Sequence, residues 1–164
     1  MSPTSHRCYV VTGAAGFIAS RLALHLAREG HTVHACDWAN PQGCTPMDPD
    51  PASVLARLRA GRLQALAAQP GIRFTQLDLS VPGAFANWIA PLAQPTVIHL
   101  AAQAGVRHSM QAPMDFVAPN LIGFANVLHA CYTQGVQRLL YASSSSVYGM
   151  RDNAPFREDD RTDA

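Results

Sequence analysis

Gly13 and Gly16 stand three residues apart in CYVVTGAAGFIA (Cys8–Ala19), between a short β-branched run and an apolar stretch with helical spacing. The layout predicts a strand that runs into a tight turn and leaves it as a helix. Two residues without a Cβ let a phosphate come close to bare backbone, and the N–H groups opening the helix then face the anion. Glycine pairs also occur in turns that hold no ligand, so the flanking pattern decides. The helix carries an apolar stripe (Phe17, Ile18, Leu22, Leu26) and ends at Gly30, and a second strand, Thr32–Cys36, stops at Asp37. A carboxylate there accepts both hydroxyls of an adenosine ribose, the further mark of a dinucleotide-binding turn. Its charge repels a 2′-phosphate, and no Arg or Lys lies between Asp37 and Arg57 to hold one. NAD is therefore expected in preference to NADP. Ala19 stands where a third glycine is usual, an accepted variant that adds one methyl at the helix–strand contact.

Other polar residues fall at the ends of apolar strand patterns. Asp78-Leu79 closes a third strand and serves either a nucleotide base or, as a cap, a helix starting at Val81. LAAQAGVRHS (Leu100–Ser109) follows a fourth strand, and its small residues let a flat ligand lie against the backbone. Asn120 opens a long helix, where an N-cap explains it as well as a ligand contact does. YASSSSVYG (Tyr141–Gly149) leaves a fifth strand and puts a row of hydroxyls at the sheet's carboxyl edge. Ser144 is expected to face the ligand crevice there, with Ser146 turned away. His99 ends an apolar strand and is read as packed or hydrogen-bonded rather than catalytic.

The elements that must position these groups alternate. Strands are predicted at Cys8–Thr12, Thr32–Cys36, Arg73–Leu77, Thr96–Leu100 and Arg138–Ser143, and helices at Gly16–Arg28, Ser53–Ala68, Val81–Ala90 and Pro119–Gln134. Such alternation means parallel strands with right-handed crossovers, hence an α/β doubly wound sheet in the order 3-2-1-4-5. The ligand then belongs across the carboxyl ends of the first and fourth strands, where the order reverses. Asn40–Pro51, with four of the chain's twelve prolines, reads as a loop, and Arg151–Ala164 as a polar surface stretch.

A chain of 164 residues forms one domain. Its net charge of +1 gives no general attraction to nucleic acid or anionic membrane, and no apolar run has the length of a membrane span. The opening residues lack a signal-peptide layout, so a cytoplasmic protein is expected. The cysteines Cys8, Cys36, Cys44 and Cys131 lack metal-ligand spacing and read as reduced thiols, and no metal is expected. All twelve basic side chains are Arg, and the chain contains no lysine.

TGAAGFIA, Asp37, Asp78-Leu79, HLAAQAGVRHS, PNLIG and YASSSSVYG together resemble the extended short-chain dehydrogenase/reductase family, the NAD-dependent sugar-nucleotide epimerases and dehydratases. The wording AAQAGVR with SSSSVYG is most similar to the UDP-glucuronate 4-epimerase branch. The resemblance implies a Rossmann fold, NAD as cofactor, a UDP-sugar substrate and a homodimer. By the same likeness, Gly13, Gly16, Phe17 and Ile18 meet the pyrophosphate, Asp37 the ribose, and Asp78 and Leu79 the adenine. Leu100, Ala101, Ala102 and Asn120 hold the nicotinamide half. Ser144 matches the family's catalytic Ser/Thr, Ser143 and Ser145 flank it on the sugar side, and Arg107 either reaches substrate or serves no specific role. Family dehydratases place Asp-Glu after the catalytic Thr, and the decarboxylating branch a Glu two places on. Ser145 and Ser146 stand there instead, which leaves oxidation and re-reduction at sugar C4, although dehydratase and decarboxylase remain alternatives within the family.

The family base is a Tyr four residues before a Lys. The residues four after Tyr9, Tyr132, Tyr141 and Tyr148 are Gly13, Val136, Ser145 and Asp152. The chain is accordingly expected to be the N-terminal part of an epimerase, lacking the last strands, the Tyr-x-x-x-Lys helix and the C-terminal substrate domain, and to be catalytically incompetent by itself. A non-catalytic NAD-binding module and an inactive fragment are the rival readings.

Overall fold

The computed structural model describes residues 6–39, 42–43, 45–46, 48–149 and 155–162. Residues 40, 41, 44 and 47 of the expected loop, Cys44 among them, and residues 151–154 and 163–164 of the polar stretch lie outside them. Five parallel strands, β1 (Cys8–Thr12), β2 (Thr32–Asp37), β3 (Ile72–Gln76), β4 (Thr96–His99) and β5 (Arg138–Tyr141), form one sheet in the order 3-2-1-4-5. Helices α1 (Phe17–Arg28) and α2 (Val54–Ala67) cover one face. The other face carries α3 (Ala84–Ile89) and α6 (Gly123–Thr133). Strand alternation divides the core accordingly: Val11 and Ala35 pack toward α1, while Val10 and Cys36 pack toward Phe85, Ile89 and Val127. The doubly wound fold is thus as the alternation of patterns predicts.

Several local expectations need correction. The buried face of α1 is Ala19, Ser20, Ala23 and Ala27, with Phe17 and Ile18 71% and 68% exposed. Small residues let the helix axis approach the sheet, which keeps the head of α1 tight against the glycine turn. The third helix starts at Ala84 rather than Val81, because Gly83 takes φ +75°, a left-handed conformation that a helix running from Val81 could not contain. Two short helices, α4 (Val106–Gln111) and α5 (Met114–Phe116), occupy what reads as loop. The long helix expected from Pro119 begins with a π-helical stretch, Val117–Ile122, since Pro119 cannot donate to the regular ladder. Ser53 does cap α2, accepting from the Ala56 N–H at 3.0 Å.

β5 lies at the open edge with Leu140 and Tyr141 exposed, beside Leu128 and Tyr132 exposed on α6. No described helix is long and apolar enough to cross a membrane. Cys36 and Cys131 are buried, and burial raises their thiol pKa values, leaving them unreactive.

Candidate functional site

The carboxyl ends of β1 and β4 meet at Gly13. Its φ is +73°, and a Cβ there would lie 2.8 Å from Ala101 Cα and N and 2.9 Å from the Leu100 carbonyl carbon. The Gly16 N–H donates to Gly13 O at 2.8 Å, closing the turn. Asp37 fastens that turn to β2: Oδ2 accepts from the Ala15 N–H and Oδ1 from the Ala39 N–H, each at 2.9 Å. No side chain caps the head of α1 and its first turn carries no acidic residue, so its opening amides are free to meet an anion.

Opposite the turn, the Thr12 hydroxyl oxygen accepts from the Leu100 and Ala101 N–H groups, both at 3.1 Å, and lies 2.9 Å from His99 Nδ1. The Leu100 amide therefore bonds a side chain instead of extending the strand, and β4 ends at His99. Asn120 is not an N-cap. From within the π-helical stretch its Oδ1 accepts from the Gln103 N–H at 2.7 Å and its Nδ2 donates to Gln103 O at 3.0 Å. Asp78 does not cap a helix either, since Oδ1 takes the N–H and hydroxyl of Ser80, at 2.8 and 2.7 Å. Asn126 of α6 donates to Leu79 O at 2.8 Å and holds that segment in place.

These segments enclose one cavity, lined by Gly13, Gly16, Asp37, Asp78, Leu79, Leu100, Ala101 and Ala102 of the residues expected from sequence. Trp38, Thr45, Arg59, Arg62, Gln103 and Pro119 line it too, and sequence reading misses them. No basic residue stands near Asp37 along the chain, but Arg59 and Arg62 share its cavity in space. One turn of α2 brings both arginines to the cavity, and only their i, i+3 spacing on a helix facing the sheet could have signalled it. Both guanidiniums are already engaged. Arg59 pairs with Asp48 at 3.1 Å and donates to Gly43 O, and Arg62 donates to Ala15 O at 3.0 Å with its guanidinium 5.9 Å from the Phe17 ring centroid.

Phe17, Ile18, Asn120, Arg107, Ser143, Ser144 and Ser145 do not line this cavity. Ser144 is exposed at the head of a 3₁₀ turn, Ser145–Tyr148, and its hydroxyl bonds that of Ser146 at 3.2 Å. The two hydroxyls thus lie side by side on an exposed turn. His108, exposed on α4, pairs with Asp115 at 3.0 Å.

His99 is buried, and burial lowers its pKa from 6.5 to about 4. His34 is lowered too, by burial and by Arg73. An unfolded histidine takes up its proton near pH 6.5, whereas folded His99 stays neutral to about 4, so stability falls as pH drops through that window. His99 accounts for about 3 kcal/mol at most, and His34 adds in the same direction. Urea unfolding midpoints at pH 7, 5.5 and 4 should fall in that order, and equal midpoints would contradict the burial of neutral His99.

A doubly wound parallel sheet whose first turn, second-strand carboxylate and fourth-strand loop share one cavity at the switch point defines a dinucleotide-binding protein. The chain belongs to the NAD dependent epimerase/dehydratase family, whose sequence model matches residues 9–164. It is 37% identical over 155 residues to UDP-glucuronate 4-epimerase 3 of Arabidopsis thaliana, covering 94% of this chain and 33% of that protein. It is also 37% identical over 156 residues to a probable UDP-glucuronate 4-epimerase of Rhizobium meliloti, covering 94% and 42%. Among solved structures, a UDP-glucose-4-epimerase from Stenotrophomonas maltophila with bound NAD and formylated UDP-arabinopyranose matches with TM-score 0.69 and 30% identity, over 95% of this chain and 42% of that one. The chain thus spans about a third to two fifths of the length of the relatives it matches. NAD is the cofactor of the family, and the cradle at Gly13 and the uncapped head of α1 suit its pyrophosphate.

Proposed function

We propose that this chain supplies the NAD-holding half of a UDP-sugar 4-epimerase, with UDP-glucuronate as the substrate that the similarity to its relatives favours. The observation that carries the reading is the cavity at the β1–β4 switch point, whose lining brings together Gly13, Gly16, Asp37, Leu79 and Ala101. Gly13 and Gly16 admit the pyrophosphate, Asp37 takes the adenosine ribose, and Asp78 with Leu79 takes the adenine. Leu100, Ala101 and Ala102 form the wall for the nicotinamide half. The reversible hydride chemistry at sugar C4 would be supplied by NAD held there by Gly13, Gly16, Asp37, Asp78 and Leu79. The Ser144 hydroxyl, exposed beyond the end of β5, is the group this chain offers to the sugar 4-OH, with Ser143 and Ser145 beside it. The absence of carboxylates at Ser145 and Ser146 favours epimerisation over elimination or decarboxylation. The reading includes a homodimer, and the exposed Leu121, Leu128 and Tyr132 near and along α6 supply apolar surface for a second copy. A non-catalytic NAD-binding module is the second reading, favoured by the lack of any lysine in the chain.

Asp37 tests the cofactor assignment. Calorimetric titration should show NAD binding more tightly than NADP, because the carboxylate receives two ribose hydroxyls and repels a phosphate. Asp37→Ala should weaken NAD by ~1–3 kcal/mol, the usual loss for charge-assisted hydrogen bonds. The same change frees the Ala15 and Ala39 amides and so loosens the turn itself. Equal or tighter binding of NADP to the unaltered chain would sink the assignment.

A further inference from the structure

We propose that His99 is a positioning residue for the nicotinamide wall: carrying its proton on Nε2, it accepts the Thr12 hydroxyl hydrogen at Nδ1 and so fixes both Thr12 lone pairs on the amides of Leu100 and Ala101. This rests on the reading of the cavity as the NAD site.

A threonine hydroxyl has one hydrogen and two lone pairs. Two backbone N–H groups, from Leu100 and Ala101, already point at Thr12 Oγ1. The remaining partner, 2.9 Å away, is His99 Nδ1, and it must therefore accept. With the proton on Nδ1 instead, three donors would converge on one oxygen while the hydroxyl hydrogen had no partner, an expensive arrangement at a buried site. Burial keeps the ring neutral, which preserves Nδ1 as an acceptor.

The two amides held this way belong to the backbone that closes on Gly13. The direction of one hydroxyl hydrogen therefore sets how the β4 loop stands against the glycine turn. His99 also links the neighbouring strand: its carbonyl accepts from the Ala142 N–H at 3.1 Å, ahead of Ser143 and Ser144. Its ring stacks on Phe124 at 5.3 Å, and Phe124 in turn meets Tyr141 at 5.1 Å. One residue thus joins the ends of β1, β4 and β5, by its ring to Thr12 and by its carbonyl to Ala142.

Two measurements on the 164-residue chain decide the matter. Long-range ¹⁵N–¹H correlation at pH 7 on histidine-labelled protein should show the His99 ring with a bare Nδ1 and a protonated Nε2. A proton on Nδ1 would overturn the proposal whether or not NAD binds. His99→Asn keeps a side-chain oxygen near the place of Nδ1, whereas His99→Phe offers none. His99→Phe is expected to weaken NAD roughly 10-fold and His99→Asn by no more than about 3-fold, in line with the loss or retention of one hydrogen bond. Unaltered affinity in His99→Phe, or equal losses in both variants, would overturn the positioning role. Failure of the unaltered chain to bind NAD would overturn the cavity's reading and the role toward NAD, a result separate from the tautomer measurement.

Discussion

Given NAD and UDP-glucuronate, the purified 164-residue chain is expected to bind the dinucleotide and to leave the configuration at sugar C4 unchanged. Epimerisation needs a base to take the 4-OH proton as hydride leaves. The residues present cannot supply the family's Tyr–Lys pair, because no lysine occurs and no tyrosine has the required partner four places on. General base catalysis is typically worth ~10²–10⁴-fold. Orientation of the sugar donor adds several kcal/mol, and Ser143, Ser144 and Ser145 do not line the cavity. Nucleotide-sugar chromatography should therefore detect no UDP-galacturonate. Joining a segment with a family-like Tyr-x-x-x-Lys should restore turnover, and Ser144→Ala in that longer protein should slow it. Turnover by the 164-residue chain, freed of host epimerase, would falsify this placement of the base.

The second large effect is expected at Gly13. In Gly13→Ala the new methyl meets backbone on the β4 loop, at 2.8 Å from Ala101 Cα and N, while φ stays at +73°. Neither clash nor dihedral is relieved by rotating a side chain. Left-handed backbone costs about 1 kcal/mol and overpacking about 1–3 more, so a loss of about 2–4 kcal/mol is expected in urea unfolding. NAD affinity should fall at least ~100-fold, since a shift of a few tenths of an ångström misplaces both the turn and the wall. Gly30→Ala is the control. Its φ is +85°, yet nothing lies within 4 Å of the added Cβ, so it should cost only the backbone share and spare NAD. Equal behaviour of the two variants would show that the contact between turn and loop is unimportant.

The sheet order is legible in the sequence because it depends on alternation alone, and parallel strands with right-handed crossovers leave few arrangements. The glycine turn, Asp37 and the Leu100–Ala102 wall are legible because each follows directly from the end of a strand. What escapes is whatever depends on how helices are rotated. The apolar stripe through Phe17 and Ile18 looks like the buried face of α1, but Ala19, Ala23 and Ala27 allow closer packing and take its place. Arg59 and Arg62 lie more than twenty residues from Asp37, and only the docking of α2 on the sheet brings them to the same cavity. Asn120 has the look of a helix cap, but the π-helical turn around Pro119 redirects it to the Gln103 backbone. Thr12 and His99 read as ordinary strand residues, and only the register Thr12↔His99 makes them partners.

Among the described residues, every one lining the cavity lies between Gly13 and Pro119. Synthesis proceeds from the N-terminus, so all of these residues are incorporated before those of α6 and β5. The 45 residues from Asn120 to Ala164 need roughly 2–9 s more at ~5–20 residues per second. The first two contributions of that interval to the cavity are Asn120 and Asn126, which clamp the Gln103 and Leu79 backbones from outside. In chain order the lining comes first and its fasteners second, so the cavity's shape depends on side chains that lie C-terminal to every residue of its wall.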